Sequence, residues 1–266
     1  MPLDLLGIVA SVTTYQLNYS FSRESHRSKI MRGVPELVAG HYTTQSVLEF
    51  QQKIAREPAD LVIIDEAPLA AYAWSLSEMP CILMRQKVDY LYYRDVFFRT
   101  PFGKEKAKAL REWLWFRLYE RKLWYRFRNG VVVSDVERQT YLKINPKLDL
   151  NVIPNGVDIS HFQVTPLPTN QDHTILLNGT MSYYANVDAA IWFVEKIFPL
   201  ILRRLPRTKL LIVGQNPVEQ VQRLARTDQV IVTGSVPDMR TYLSQSNVVA
   251  VPLRIGHGPI DRIGFC

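Results

Sequence analysis

Cysteine is almost missing from this chain. Only Cys81 and Cys266 occur in 266 residues, which excludes a disulfide framework and leaves too few thiolates for a structural zinc site. Both read as free thiols. Long apolar runs are missing too. None approaches the roughly 20 residues that a membrane-spanning helix needs, and residues 1–13 lack the basic start and small-residue cleavage site of a secretory signal. The expected location is therefore cytoplasmic. Spacings of the Ser-His-Asp, zinc-ligand or Walker type do not occur, so no metal or other cofactor is expected and no residue takes a catalytic role from a motif. Internal repeats and low-complexity tracts are likewise absent. Disorder is excluded by a hydrophobic content of 47%, enough to build the cores of two ordinary domains.

What the chain does have is alternation. In the amino-terminal half a helix over 45–56 is followed by a short apolar strand over 60–65, a helix starting at 69–76 and a strand over 80–84. After a basic helix come a strand over 130–134, a helix over 137–143 and a strand ending at Pro154. In the carboxyl-terminal half, strands are expected at 174–177, 209–213, 229–232 and 248–252, with a long amphipathic helix between the first two. Strands alternating with helices imply parallel sheets. The fold class is α/β, with a first domain over 1–156, a linker over 157–172 carrying Pro166, Pro168 and a polar run, and a second domain over 173–266.

The second half carries the functional signal. Its strands close on Gly179 within the turn Asn178-Gly179-Thr180, on Gly214, on Gly234 and on Pro252, at the end of each strand where ligands bind in open parallel sheets. Glycine there lets backbone N–H groups approach a phosphate closely. Arg254, directly after a buried strand, is placed for a bidentate phosphate contact; a salt bridge across the rim is the plainer alternative. Gly179 also fits an ordinary turn. His257 suits either a phosphate donor or an exposed loop residue without a role.

Formal net charge is +7, concentrated between Lys104 and Arg128. Lys104, Lys106, Lys108, Arg111, Arg117, Arg121, Lys122, Arg126 and Arg128 outnumber Glu105, Glu112 and Glu120, interleaved with Trp113, Trp115, Phe116 and Trp124. Such a helix fits an anionic lipid surface at the inner face of the membrane. It equally fits a domain-packing helix with a solvated cationic face. Nucleic acid ranks last, because no RNA- or DNA-binding motif accompanies the charge.

Three strings in order, Ile153-Pro154-Asn155-Gly156-Val157-Asp158, the segment 178–189 beginning Asn178-Gly179-Thr180-Met181, and Pro252-Leu253-Arg254-Ile255-Gly256-His257-Gly258, resemble the hinge, first loop and phosphate loop of retaining glycosyltransferases of the GT-B architecture, in an exopolysaccharide-associated branch. The resemblance implies two Rossmann-like parallel-sheet domains and transfer of a sugar from a nucleoside diphosphate to a polysaccharide or lipid-linked acceptor. It assigns the donor diphosphate to Gly179, Thr180, Arg254, Gly256, Gly258 and Arg262, and the nucleobase to the backbone around Gly214, Gly234 and Val236.

The chain departs from that family at both ends. A first strand with a glycine-rich loop is not evident around Gly7, Arg262 stands where a lysine belongs, and Phe265 stands in place of the first of two sugar-holding glutamates. Both domains are therefore expected to be incomplete, as in a gene fragment or a chain with a shifted reading frame. A remnant that binds a nucleotide or a partner without catalysis is one alternative, a nucleotide-sugar epimerase of the same architecture a second, and a basic membrane-surface module a third. Asp65-Glu66 and Gln86-Lys87-Val88-Asp89 leave buried strands on the acceptor side and are expected to be solvated. Ser134 should cap the helix that follows it, and Asp238 the next helix of the second half.

Overall fold

The computed structural model describes residues 33–74, 76, 79–162 and 173–255. The chain divides into two units, Met1–Val152 and Ile153–Cys266. The Gly7 region, Gly256, His257, Gly258, Arg262, Phe265, Cys266 and most of the expected linker lie outside the described residues.

In the first unit four parallel strands are added in sequence order: β1 (Val62–Asp65), β2 (Cys81–Arg85), β3 (Asn129–Val132) and β4 (Asp149–Val152). Their register pairs Val62 with Cys81, Ile82 with Asn129 and Asn129 with Asp149. Ile64, Leu83, Val132 and Leu150 project into one core with Leu123, Trp124, Phe127 and Tyr141. Gly130 is dictated by that packing. A Cβ there would lie 2.8 Å from the Trp124 ring, 2.9 Å from Leu150 and 2.9 Å from the Leu83 carbonyl oxygen, so the helix that carries Trp124 near its end reaches the sheet only over a residue without a side chain.

Helix α1 (Glu36–Ala39) is a single turn. Helix α2 (Thr44–Arg56) starts at a reciprocal cap. Ser46 N donates to Thr43 Oγ1 at 2.9 Å and Thr43 N donates to Ser46 Oγ at 2.9 Å, which satisfies two of the free donors of the first turn. The helix expected over 69–76 is shorter. It is a 3-10 turn (Ala67–Leu69) running into α3 (Ala70–Ala73), and Pro68 in its first turn has no N–H to give and suits a helix start. Helix α4 (Asp89–Arg99) carries no clear sequence signal, because Tyr90, Tyr92, Tyr93, Phe97 and Phe98 favour strands. Packing decides instead: Tyr93 stacks on Phe116 with centroids 4.9 Å apart, and Phe97 lies 5.6 Å from Trp113, both on α5 (Lys104–Arg126). Helix α6 (Asp135–Leu142) starts where Ser134 Oγ accepts from Glu137 N at 3.3 Å, the cap that the sequence implied.

The second unit has the strand order β7-β6-β5-β8, all parallel, from β5 (Thr174–Asn178), β6 (Lys209–Val213), β7 (Val230–Gly234) and β8 (Val248–Val249). Leu176, Leu210 and Ile212 are fully buried at its centre. After β5 the chain enters α7 (Tyr184–Trp192), which passes through a π-helical turn (Phe193–Ile197) into α8 (Phe198–Leu202). Pro199 accounts for the widened turn, since it supplies no N–H to the preceding carbonyls and its ring crowds them. Short helices α9 (Glu219–Gln222) and α10 (Met239–Ser244) complete the unit, and Arg240 N donates to Asp238 Oδ1 at 2.9 Å, so the expected cap at Asp238 forms. The strand expected over 248–252 is shorter than its apolar run. After Ala250 N donates to Leu176 O at 2.8 Å, Pro252 has no donor with which to continue the ladder.

Candidate functional site

Strand order locates the site. From β5 the chain steps outward to β6 and β7, then returns to place β8 on the other side of β5. The loops after β5 and β8 therefore part in opposite directions and leave a crevice at their carboxyl ends, the usual ligand position in open parallel sheets. Asn178 ends β5, Gly179 and Thr180 follow it, and Arg254 follows β8.

Backbone hydrogen bonds lace the loops together. Gly179 N donates to Val213 O at 3.1 Å, Gly214 N to Gly234 O at 3.2 Å and Met181 N to Gln215 O at 2.8 Å. Gly214 has a φ of 158°, and a Cβ on it would lie 1.7 Å from the carbonyl oxygen of Gly179. The glycine is thus required by contact between two loops, whatever it does for a ligand. Gly234, at φ 74°, occupies the left-handed region that favours glycine. The Val236 side chain packs on Leu176, Leu211 and Val213, leaving its backbone as the group available to a base.

The N–H of Gly179 is spent inside the protein, which shifts attention to Thr180 and Asn178. Thr180 Oγ1 accepts from Gln215 Nε2 at 3.5 Å, and Thr180 O accepts from Asn186 Nδ2 at 2.9 Å. Asn178 Oδ1 is buried with no hydrogen-bond partner among the described residues. A buried acceptor left open at the mouth of a crevice is suited to a ligand hydroxyl or N–H. Sequence reasoning treated Asn178 only as part of a turn.

Arg254 donates from Nε to Asp188 Oδ2 at 2.9 Å and from Nη2 to Asp188 Oδ1 at 2.5 Å, and its guanidinium lies 5.2 Å from the centre of the Trp192 ring. Asp188 and Trp192 are one turn apart on α7 and hold the guanidinium from two sides. Of five N–H donors the carboxylate takes two, and among the described residues no partner takes Nη1, which suits an anion. Neither Asp188 nor Trp192 was singled out from sequence; their spacing of four on the helix after the first loop was the available signal. The hinge string is exposed, and Asp158 there accepts from Ser160 Oγ at 2.5 Å, His161 N at 3.2 Å and Ser160 N at 2.9 Å, which holds its carboxyl below the ordinary range.

At the carboxyl ends of β1 and β2 in the other unit, the expectation of solvated groups holds for the exposed Asp65 and Gln86 and is overturned for Asp89, which is buried, and for Glu66, which pairs with Arg85. Arg85 is fully buried and donates at 2.7 Å each to Glu66, Asp89 and Glu120. Asp89 is 1% and Glu120 0% exposed, because a buried guanidinium must be matched by carboxylates. Glu66 and Asp89 were read from the ends of two strands and Glu120 from the basic helix, whereas the cation that gathers them lies inside β2. Three carboxylates share one guanidinium, and burial pushes the Glu120 carboxyl up to about 8 against the pull of Arg85. Burial likewise pushes Glu137 up to about 7, against the hydrogen bond that its Oε2 accepts from Val133 N. Its Oε1 has no partner among the described residues.

No helix among the described residues is long and apolar enough to cross a membrane. Residues 172–262 match the family described as Glycosyl transferases group 1. Anabaena Alr3699/HepE in complex with UDP and glucose is similar in structure with a TM-score of 0.54 and 14% identity, over 82% of this chain and 58% of that one. The α,α-trehalose 6-phosphate synthase of Burkholderia multivorans gives 0.52 and 12%, over 83% and 56%. Comparison with curated proteins finds no match. The chain spans 56–58% of the length of the first solved structures to which it is similar. Its architecture is that of two Rossmann-like parallel α/β units of the GT-B type, the second of which carries the match to the group 1 glycosyl transferases.

Proposed function

We propose that this chain belongs to a glycosyltransferase whose second unit binds a nucleoside-diphosphate sugar, and that the sugar passes with retention of configuration to a polysaccharide or lipid-linked acceptor on the cytoplasmic side. The observation that carries the reading is the placement of the Asn178–Thr180 turn and of Arg254 at the carboxyl ends of the paired strands β5 and β8, within the segment that matches group 1 glycosyl transferases.

In such a reaction the departing diphosphate gathers charge as the sugar–phosphate bond breaks, and pre-placed cations and dipoles supply much of the rate. Arg254 is the cation here, oriented by Asp188 and Trp192. The first turn of α7, which has no side-chain cap, adds the positive end of a helix dipole. Loss of the phosphate on the face that the acceptor hydroxyl approaches lets the leaving oxygen take the hydroxyl proton, and this requires neither a metal nor a second base. Asn178 Oδ1 is assigned to a donor hydroxyl or base N–H, and the backbone at Gly234 and Val236 to the base. Gly256, Gly258 and Arg262 would complete the diphosphate clasp.

Phe265, where the resemblance calls for a carboxylate, favours a second reading in which a nucleotide binds without sugar transfer. Calorimetric titration of the chain with UDP and with GDP tests what both readings share. Saturable binding, weakened at least about tenfold by Arg254→Ala, is expected from loss of a charge-assisted phosphate contact. No binding by a cooperatively folded sample would remove the donor site. Where binding holds, release of free sugar or product from a labelled nucleotide sugar separates transfer from binding alone.

A further inference from the structure

Helix α5 turns its two faces to very different company. Its buried face consists of Ala109, Glu112, Phe116, Glu120, Leu123 and Trp124. Two of the three acids of the helix are thereby withdrawn from solvent: Glu120 lies against Arg85, and Glu112 accepts from Glu36 N at 2.8 Å and pairs with Arg111 at 2.9 Å. On the opposite face Leu110, Leu114 and Leu118 recur every fourth residue and are 37%, 46% and 58% exposed, with Tyr125 at 56% two turns further on. At about 100° per residue this makes one ridge. Arg117 and Arg121 fall on one side of it and Lys122 and Lys104 on the other, all exposed. Lys108 is exposed as well and reaches Glu36 at 3.2 Å, and Glu105 is the one exposed acid of the helix.

The apolar surface extends beyond the helix. Phe98, 66% exposed, lies 5.8 Å from Trp113, one turn from Leu110. Phe102, in the turn before α5, is 96% exposed, with the Lys106 ammonium 4.8 Å from its ring. An apolar ridge of this kind would ordinarily be covered. Cations flanking it on both sides select an occupant that is anionic at the surface and apolar beneath.

We propose that the outer face of α5, with Phe98 and Phe102, is a docking surface for an anionic lipid bilayer. The leucine ridge and the two phenylalanines enter the boundary between headgroups and acyl chains, while Arg117, Arg121 and Lys122 lie at the level of the lipid phosphates. A soluble polyanion would use the cations and leave the leucines in water, and a second copy of this face would set cations against cations. This inference is independent of the donor site, since it concerns the first unit alone.

Co-sedimentation of the full chain with vesicles of phosphatidylglycerol mixed with phosphatidylcholine, and with phosphatidylcholine alone, tests it. Binding is expected only with phosphatidylglycerol present. Joint Leu114→Glu and Leu118→Glu should reduce it at least about tenfold, and Arg117→Gln and Arg121→Gln about fivefold each. These side chains are exposed, so the melting temperature should not move. Equal binding to both vesicles, no binding at all, or binding unaffected by the leucine changes and displaced equally by an RNA oligonucleotide would overturn the proposal. Gel filtration of the lipid-free chain provides a further arm: a dimer that the leucine changes convert to monomer would show that a second copy occupies the face instead. UDP binding should be the same in every variant, so failure here and failure of the donor site are read separately.

Discussion

Arg254 and Asp188 form the pair on which the proposed donor site turns. Because the carboxylate holds the guanidinium by two of its N–H groups, it places the remaining donors before a ligand arrives, and pre-placement lowers the cost of binding. Asp188→Ala should therefore weaken UDP binding about three- to tenfold, less than loss of Arg254; tighter binding would mean that the carboxylate competes with phosphate. Gly214→Ala sets a Cβ against the backbone of Gly179 and should cost about 2 kcal/mol or more in urea denaturation. Glu137 gives a pH prediction. Its carboxyl holds a proton more firmly folded than unfolded, so its stabilising effect is complete below the ordinary carboxylate range and is lost as pH rises through about 7. Glu120 acts in the same direction up to about 8. Melting temperature should thus fall across this window, and Glu137→Gln should flatten the part of the fall near pH 7. A profile unchanged by the substitution would show that Glu137 is not the titrating group.

Elements were legible in the sequence where local chemistry decides them. The Ser134 and Asp238 caps and the apolar strands other than the one expected over 248–252 needed only near neighbours, and their positions hold to within a residue or two. Ser134→Ala should cost about 1 kcal/mol, read from the denaturation midpoint. Helix α4 was not legible, because its aromatic residues favour strands and become helical by stacking on Phe116 and Trp113 of the next helix. Helix α5 was legible as basic and aromatic, but its polarity across the axis was not. Composition counts Glu112 and Glu120 among the charges, whereas both are turned inward. The loops at Gly179, Gly214, Gly234 and Arg254 could be read as a crevice because glycines and a cation mark strand ends. Asn178, Asp188 and Trp192 could not, since their roles depend on partners brought together by the sheet.

Each sheet has its own core, the first around Leu83 and Trp124 and the second around Leu210 and Ile212, and no strand belongs to both. Hydrogen exchange should accordingly resolve two cooperative blocks, with the amides of β2 and β3 protected together and those of β5 and β6 as a separate set. A single protection level throughout would contradict that division. Strand order also bears on how the molecule is made. The first sheet grows by placing each new strand beside the previous one, so it can assemble progressively as the chain leaves the ribosome. The second cannot finish in that way: β8, the last of its described strands to be synthesised, must return past β6 and β7 to reach β5. Until it docks, the loops that follow β5 and β8 do not yet flank a crevice.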